Sequence, residues 1–174
     1  RPYIPVNHLN AHVCANFIDT DLKPPFTCLL VSGGHTQVIN VSDYGQCEIA
    51  ASTIDDATGE VYDKVARLLG LPYPGGIQLD KLAQSGNGKA FKLPEAKVGD
   101  DEFSFSGLKT AVLRLTQSFK DVSIPVNNVC ASFQETITTT LINKTVKIAK
   151  KNNSKTIVLF HNDMAINNYP VISN

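Results

Sequence analysis

The sequence has no C-x-x-C pair, no apolar run long enough to cross a bilayer, no excess of either charge and no starting methionine. Each absence narrows the reading. The four cysteines, Cys14, Cys28, Cys47 and Cys130, are scattered, which argues against a structural zinc site and a disulfide framework and suits a reducing compartment. No stretch approaches the roughly 20 apolar residues of a membrane span. Sixteen basic and sixteen acidic side chains cancel, so net charge gives no support for nucleic-acid binding, although a local patch stays open. Lacking also a signal peptide and an amphipathic transit segment, a chain that begins Arg1-Pro2-Tyr3-Ile4-Pro5 is expected to be a piece of a longer protein. What is there is 174 residues at 43% hydrophobic content, enough for one domain or two small ones with a real core. No internal repeat or low-complexity segment is evident.

The pattern is mixed α/β. Ile4-Pro5-Val6 reads as a short strand, and Asn7 caps a helix from His8 to Ile18 with Leu9, Val13 and Phe17 on one stripe. Phe26–Val31, Thr36–Ser42 and about Cys47–Thr53 read as strands, close enough together to favour antiparallel pairing. A helix is expected from about Ala57 to Leu69, stopped by Gly70, and a short one from Ile77 to Gln84. A polar loop, Gly86 to Glu102, leads to the extended piece Phe103-Ser104-Phe105. Ser106 is positioned to cap a helix to about Phe119. A long helix from Pro125 to Lys151 carries Val129, Phe133, Ile137, Leu141, Thr145 and Ile148 on one stripe. Lys144, Lys147, Lys150 and Lys151 near its end read first as a solvated, dipole-favoured helix end. Thr156–Phe160 reads as a buried strand.

The most informative stretch is Ser32-Gly33-Gly34-His35-Thr36-Gln37, where an apolar strand stops and an extended pattern resumes. Adjacent glycines carry no Cβ to keep a ligand off the backbone, and hydroxyls and freed N–H groups around them suit a phosphate or acyl-phosphate. An ordinary tight hairpin fits the local pattern equally. His8 and His12 share a helical face one turn apart, a spacing that suits two imidazole ligands of one metal; two surface or half-buried histidines fit it too. Leu9 follows His8, so the H-E-x-x-H of metalloproteases is absent. Asp55, Asp56, Glu60 and Asp63 are the densest acidic cluster. They can hold ribose hydroxyls or a hydrated cation, or pair Glu60 with Lys64 and Asp63 with Arg67 while Asp55 or Asp56 caps the helix. Gly75-Gly76, with Asp80 one turn on, is either a second ligand-contact loop or a helix lead-in. The hydroxyls of Phe103-Ser104-Phe105-Ser106-Gly107-Leu108-Lys109-Thr110 read as caps.

Five ordered segments resemble one family: Asn7-His8-Leu9-Asn10-Ala11-His12; Leu30-Val31-Ser32-Gly33-Gly34-His35-Thr36-Gln37; Asp55-Asp56-Ala57-Thr58-Gly59-Glu60-Val61-Tyr62-Asp63-Lys64; Tyr73-Pro74-Gly75-Gly76; and Phe103 to Thr110. The family is the tRNA N6-threonylcarbamoyladenosine transferases, once described as O-sialoglycoprotein endopeptidases, and the likeness is to the bacterial and plastid-type branch. It spans about residues 1–160. The resemblance implies a partial actin-like (ASKHA, ribonuclease H-like) α/β fold, with about 1–56 from a first subdomain and about 57–174 from a second. It implies transfer of threonylcarbamoyl from threonylcarbamoyl-AMP to N6 of adenosine 37 in tRNAs that read codons beginning with A. On this reading His8 and His12 bind one divalent metal, iron or zinc; Leu30, Val31, Ser32, Gly33 and Gly34 hold the phosphate and acyl region; and Asp63, Gly76 and Asp80 surround the ribose or base. The implied partners are tRNA, a paralogous subunit of the same fold and, in bacteria, a P-loop ATPase, with no membrane. The implied location is the bacterial cytoplasm or a plastid-type organelle.

The sequence departs from the family at its ends. The family's N-terminal segment would precede Arg1. Its Gly-Gly-Val-x-x-Asn turn is replaced after Phe160 by His161-Asn162-Asp163-Met164-Ala165-Ile166-Asn167, with Asn167 one place off. The aspartate that supplies a third metal ligand would lie beyond Asn174, and nothing supports Asp163 as its substitute. A catalytically incomplete remnant or truncated binding module of the same family is therefore the alternative, and such a piece is expected to aggregate or be partly disordered alone. A metalloendopeptidase is disfavoured by the missing H-E-x-x-H, and a sugar kinase by the differing motifs.

Overall fold

The computed structural model describes residues 2–18, 20–119 and 123–161. Its elements are α1 (His8–Ala15), β1 (Phe26–Val31), β2 (Thr36–Asp43), β3 (Gln46–Thr53), α2 (Thr58–Leu68), α3 (Gly75–Ala83), β4 (Glu102–Phe103), α4 (Ser106–Gln117), α5 (Val126–Lys151) and β5 (Ile157–His161). The tail residues Asp163 and Asn167 lie outside the described residues.

The strands form one mixed sheet in the order β4-β3-β2-β1-β5. β1, β2 and β3 are an antiparallel meander, as their short connections demand, while β5 joins β1 and β4 joins β3 in parallel. Gly45 turns β2 into β3 and Gly70 ends α2, both at positive φ (75° and 72°), where glycine avoids the Cβ clash of other residues.

Alternation along β1 divides its side chains between two faces. Leu29 and Val31 enter a large core with Val61, Leu79, Val112, Phe133 and Leu141 of α2, α3, α4 and α5. Phe26, Cys28 and Leu30 enter a smaller core on the opposite face, covered by Val13 of α1. The expected α5 stripe is buried from Val129 to Ile148 at every named position.

Several expectations need correction. Ile4-Pro5-Val6 forms no strand: the described residues offer it no paired neighbour, Pro5 lacks a donor, and Ile4 is 88% exposed. α1 ends at Ala15, its last turn tightened by i→i+3 bonds from Asn16, Phe17 and Ile18. β5 is half-exposed rather than buried, because among the described strands only β1 flanks it. Ser106 does not cap α4 but is its first residue, and no side chain of the preceding Phe105 caps it. The cap comes from Asp55, whose carboxylate accepts from Ser104 Oγ (2.5 Å), Phe105 N (2.9 Å) and Ser106 N (3.3 Å). Neither Asp55 nor Asp56 caps α2, whose Thr58 N–H goes to Thr36 Oγ1 at 2.8 Å. Glu60 pairs with Lys64 as expected, joined by Asp56 (2.7 and 2.5 Å). Lys144 and Lys147 are more than a solvated helix end. Lys144 Nζ donates to the carbonyls of Gly99 (2.7 Å) and Glu102 and lies over the Phe103 ring, and Lys147 meets Asp100 at 2.6 Å.

Candidate functional site

The β1–β2 turn stands at the end of the sheet. Ser32 N donates to His35 O (2.8 Å), and Ser32 Oγ accepts from Gly34 N (3.3 Å) and His35 N (3.0 Å). Two N–H groups expected to be free are therefore held by the serine. With both lone pairs used, the O–H hydrogen is the remaining bonding capacity of Ser32. Gly33 and Gly34 have no positive φ, and a Cβ on either would meet nothing within 4 Å. Neither backbone geometry nor internal packing requires glycine there; what the missing Cβ atoms keep clear is the space above the turn. Leu30 and Val31 are fully buried, one on each face, so only their backbone can face a ligand.

The turn is stitched to α2. Ser32 O accepts from Gly59 N (3.3 Å), and Thr36 Oγ1 meets Thr58 Oγ1 at 2.9 Å. Further along α2, Asp63 does not pair with Arg67 as one reading had it. Its Oδ1 accepts from Gly75 N (3.1 Å) and Gly76 N (3.2 Å), capping α3 from outside. Gly75 is obligatory, since a Cβ there would lie 2.5 Å from Ala66 Cβ, whereas Gly76 has room. Asp80 on α3 accepts from Gln134 Nε2 of α5 (2.9 Å) and from Gln84 Nε2 (3.2 Å). Asp63 and Gly76 are thus in contact, and α2 carries both the stitch to the turn and the α3 cap.

α1 brings the histidines to the same end. Asn7 caps it, accepting from Leu9 N and Asn10 N (3.0 and 3.1 Å). His8 Nε2 and His12 Nε2 converge to 3.0 Å. The separation is that of a hydrogen bond between the two rings, and it also matches two nitrogens each about 2.0–2.1 Å from one metal and about 90–110° apart, which would stand roughly 2.9–3.4 Å from each other. Burial, with His8 and His35 nearby, holds His12 below the usual histidine pKa and favours the neutral, ligating imidazole. The His8 ring lies 6.2 Å from that of His35, and His12 packs on Phe160 at 4.7 Å. Among the described residues no three His, Cys, Asp or Glu side chains are grouped to hold a metal.

Sequence reading missed the stitch by Thr36 and Thr58 and two glutamines. Gln37 Oε1 and Gln134 Oε1 are buried without a hydrogen-bond partner among the described residues; only the place of Gln37 within the glycine-turn segment hinted at it. Among the described residues no nucleophile stands out. Burial pushes the Cys28 thiol up to about 12 and that of Cys130 up to about 11, and Ser104 is engaged in the α4 cap.

An open glycine turn at the end of a five-stranded mixed sheet, anchored to the following helix, makes the described chain a mixed α/β protein. The family model "TsaD: tRNA N6-adenosine threonylcarbamoyltransferase" matches residues 1–169, and the chain belongs to that family. It is 51% identical over 169 residues to the tRNA N6-adenosine threonylcarbamoyltransferase of Gloeothece citriformis (strain PCC 7424), covering 91% of this chain and 49% of the relative. It is 48% identical over 164 residues to that of Clostridium perfringens (strain SM101 / Type A), covering 91% and 48%. The chain spans about half the length of the curated relatives it matches. Among solved structures, component A of (R)-2-hydroxyglutaryl-CoA dehydratase from Acidaminococcus fermentans is similar at TM-score 0.48 and 16% identity, over 88% of this chain and 52% of that one.

Proposed function

We propose that the protein carrying this chain transfers threonylcarbamoyl from threonylcarbamoyl-AMP to N6 of adenosine 37 in tRNAs reading codons that begin with A. The observation that carries the reading is one juxtaposition: an imidazole pair 3.0 Å apart beside a glycine turn whose glycines no described contact requires. His8 and His12 would hold one divalent ion, iron or zinc, which when bound supplies Lewis-acid polarisation of the carbamoyl carbonyl.

The chain's own residues position the reactants. Gly33 and Gly34 let the acyl-phosphate oxygens approach the backbone, and the Ser32 hydroxyl retains a hydrogen to donate to an anionic oxygen. Asp63, Gly76 and Asp80 take the ribose or base side, held by α2, α3 and α5. AMP is the leaving group, so attack by the adenine amine needs no covalent enzyme intermediate, and orientation supplies most of the catalysis. The reading includes a paralogous subunit and a P-loop ATPase as partners. It places the protein in the bacterial cytoplasm or a plastid, which the free cysteines suit. No described helix is long and apolar enough to cross a membrane.

The test supplies radiolabelled threonylcarbamoyl-AMP, a metal ion and the partner proteins, with a tRNA transcript bearing adenosine 37 or guanosine 37. Label entering only the adenosine transcript supports the proposal. Equal labelling of both transcripts, or of neither, contradicts it.

A further inference from the structure

Gln37 occupies a particular row of the sheet. It pairs with Leu30 of β1 and with Ser52 of β3, and Leu30 pairs with Phe160 of β5. Leu30 belongs to the core on the α1 face, and directly opposed residues share a face, so Phe160, Leu30, Gln37 and Ser52 form one row on that side. This row is the last before Val31 and Thr36, from which the turn springs. The His12 ring rests on Phe160 at one end of it. The row is therefore floor to the end of the sheet that carries the histidines and the glycine turn.

Within it the Gln37 carboxamide is half satisfied. The Ser52 hydroxyl, with one hydrogen, lies 3.5 Å from Thr53 O as donor, which leaves it to accept from Gln37 Nε2 at 3.4 Å. That arrangement sets the amide's orientation and makes Oε1 the atom without a partner among the described residues. Gln37 is only 9% exposed. A buried carbonyl left unpaired costs free energy comparable to a lost hydrogen bond, and an apolar residue of similar shape would avoid that cost. Glutamine in this row is explained by a donor that arrives from outside the described residues.

We infer that Gln37 is a positioning residue for the acyl donor, its Oε1 accepting a hydrogen bond from an N–H or O–H of the threonylcarbamoyl group. The inference rests on the proposed transfer reaction, because that reaction supplies a ligand with such donors beside the turn. The threonylcarbamoyl group offers one carbamate N–H and a hydroxyl; the ionised phosphate of AMP, the end that the proposed reading sets at the turn, offers none. Gln37 thus discriminates the acylated from the bare nucleotide, and contributes nothing to holding AMP.

The test uses calorimetric binding of AMP and of the non-transferable sulfamate analogue of threonylcarbamoyl-AMP to the metal-loaded protein, alongside transfer kinetics. Gln37→Met removes the acceptor and keeps the volume; Gln37→Glu keeps an acceptor. The expected result is that Gln37→Met weakens the analogue about five- to tenfold, the scale of one neutral hydrogen bond, and raises KM for the acyl donor with little change in kcat. AMP affinity should stay unchanged, the thermal midpoint should not fall, and Gln37→Glu should recover part of the loss. Equal weakening of analogue and AMP, or none of either, overturns the inference. A wild-type protein that binds neither ligand overturns the transfer reading and the inference with it. One that binds both, with Gln37→Met indistinguishable from wild type, overturns the inference alone.

Discussion

Two glycine pairs look alike in the sequence and are opposites in the structure. At Gly75 a Cβ would sit 2.5 Å from Ala66 Cβ, while at Gly34 it would meet nothing. Gly75→Ala is therefore expected to destabilise the fold by about 1–3 kcal/mol through overpacking. Gly34→Ala should leave stability within about 0.5 kcal/mol and yet reduce transfer on the order of tenfold or more, by holding the acyl-phosphate off the backbone. Thermal melts of both variants, with transfer rates for Gly34→Ala, check the pair; an intact rate in Gly34→Ala would remove the reason for an open turn. At this scale the sequence was legible where spacing is local. His8 and His12 lie four residues apart on one helix, and their nitrogens meet. It was illegible for Asp63, whose sequence neighbour Arg67 is a plausible partner but whose Oδ1 goes to N–H groups twelve and thirteen residues on. Gln37 shows the same limit, since burial without a partner is a property of packing that no spacing records.

Helices and strands followed their periodicity closely, because a buried face imposes its repeat on the sequence. α5 is the best case, its stripe from Val129 to Ile148 packed as read. The exceptions arise where an element's fate depends on a distant neighbour: Ile4-Pro5-Val6 lacks a paired strand, and α4 takes its cap from Asp55, some fifty residues upstream, rather than from Ser106. That remote cap carries a pH signature. Partial burial pushes Asp55 upward, but the donors Phe105 N, Ser104 Oγ and Ser106 outweigh it and hold the carboxyl below its ordinary value. A folded pKa below the unfolded one means stability that is present above the unfolded value of about 3.9 and lost as pH falls through the folded one. Asp55→Ala should thus cost about 1–2 kcal/mol at neutral pH, the scale of a lost cap. Denaturant melts of both proteins should converge as pH falls below about 4. A gap that stays constant down to pH 2 would mean that packing, not the charged cap, holds α4 to β3.

The described chain is packed unevenly on the two faces of its sheet. Among the described residues twenty buried side chains form the core beneath α2, α3, α4 and α5, against six on the face that α1 covers. α1 is eight residues long and buries only Val13 fully, well below the length at which a helix is stable by itself. The element that presents the proposed metal ligands is therefore held by the more sparsely packed face of the sheet. Local opening free energies scale with such packing, so amide exchange should be fastest in residues 8–15 and slowest in β1, β2 and α5. A ligand that binds only the closed form stabilises it by mass action. Zinc added to the metal-free chain should therefore slow exchange in residues 8–15, by about a hundredfold at a concentration one hundred times Kd, while leaving α5 unchanged. Chelation should reverse the effect, and His8→Ala with His12→Ala should abolish it. If zinc protected α5 as much as α1, or protected α1 in the double variant, the two imidazoles, 3.0 Å apart, would not be acting as the proposed chelate.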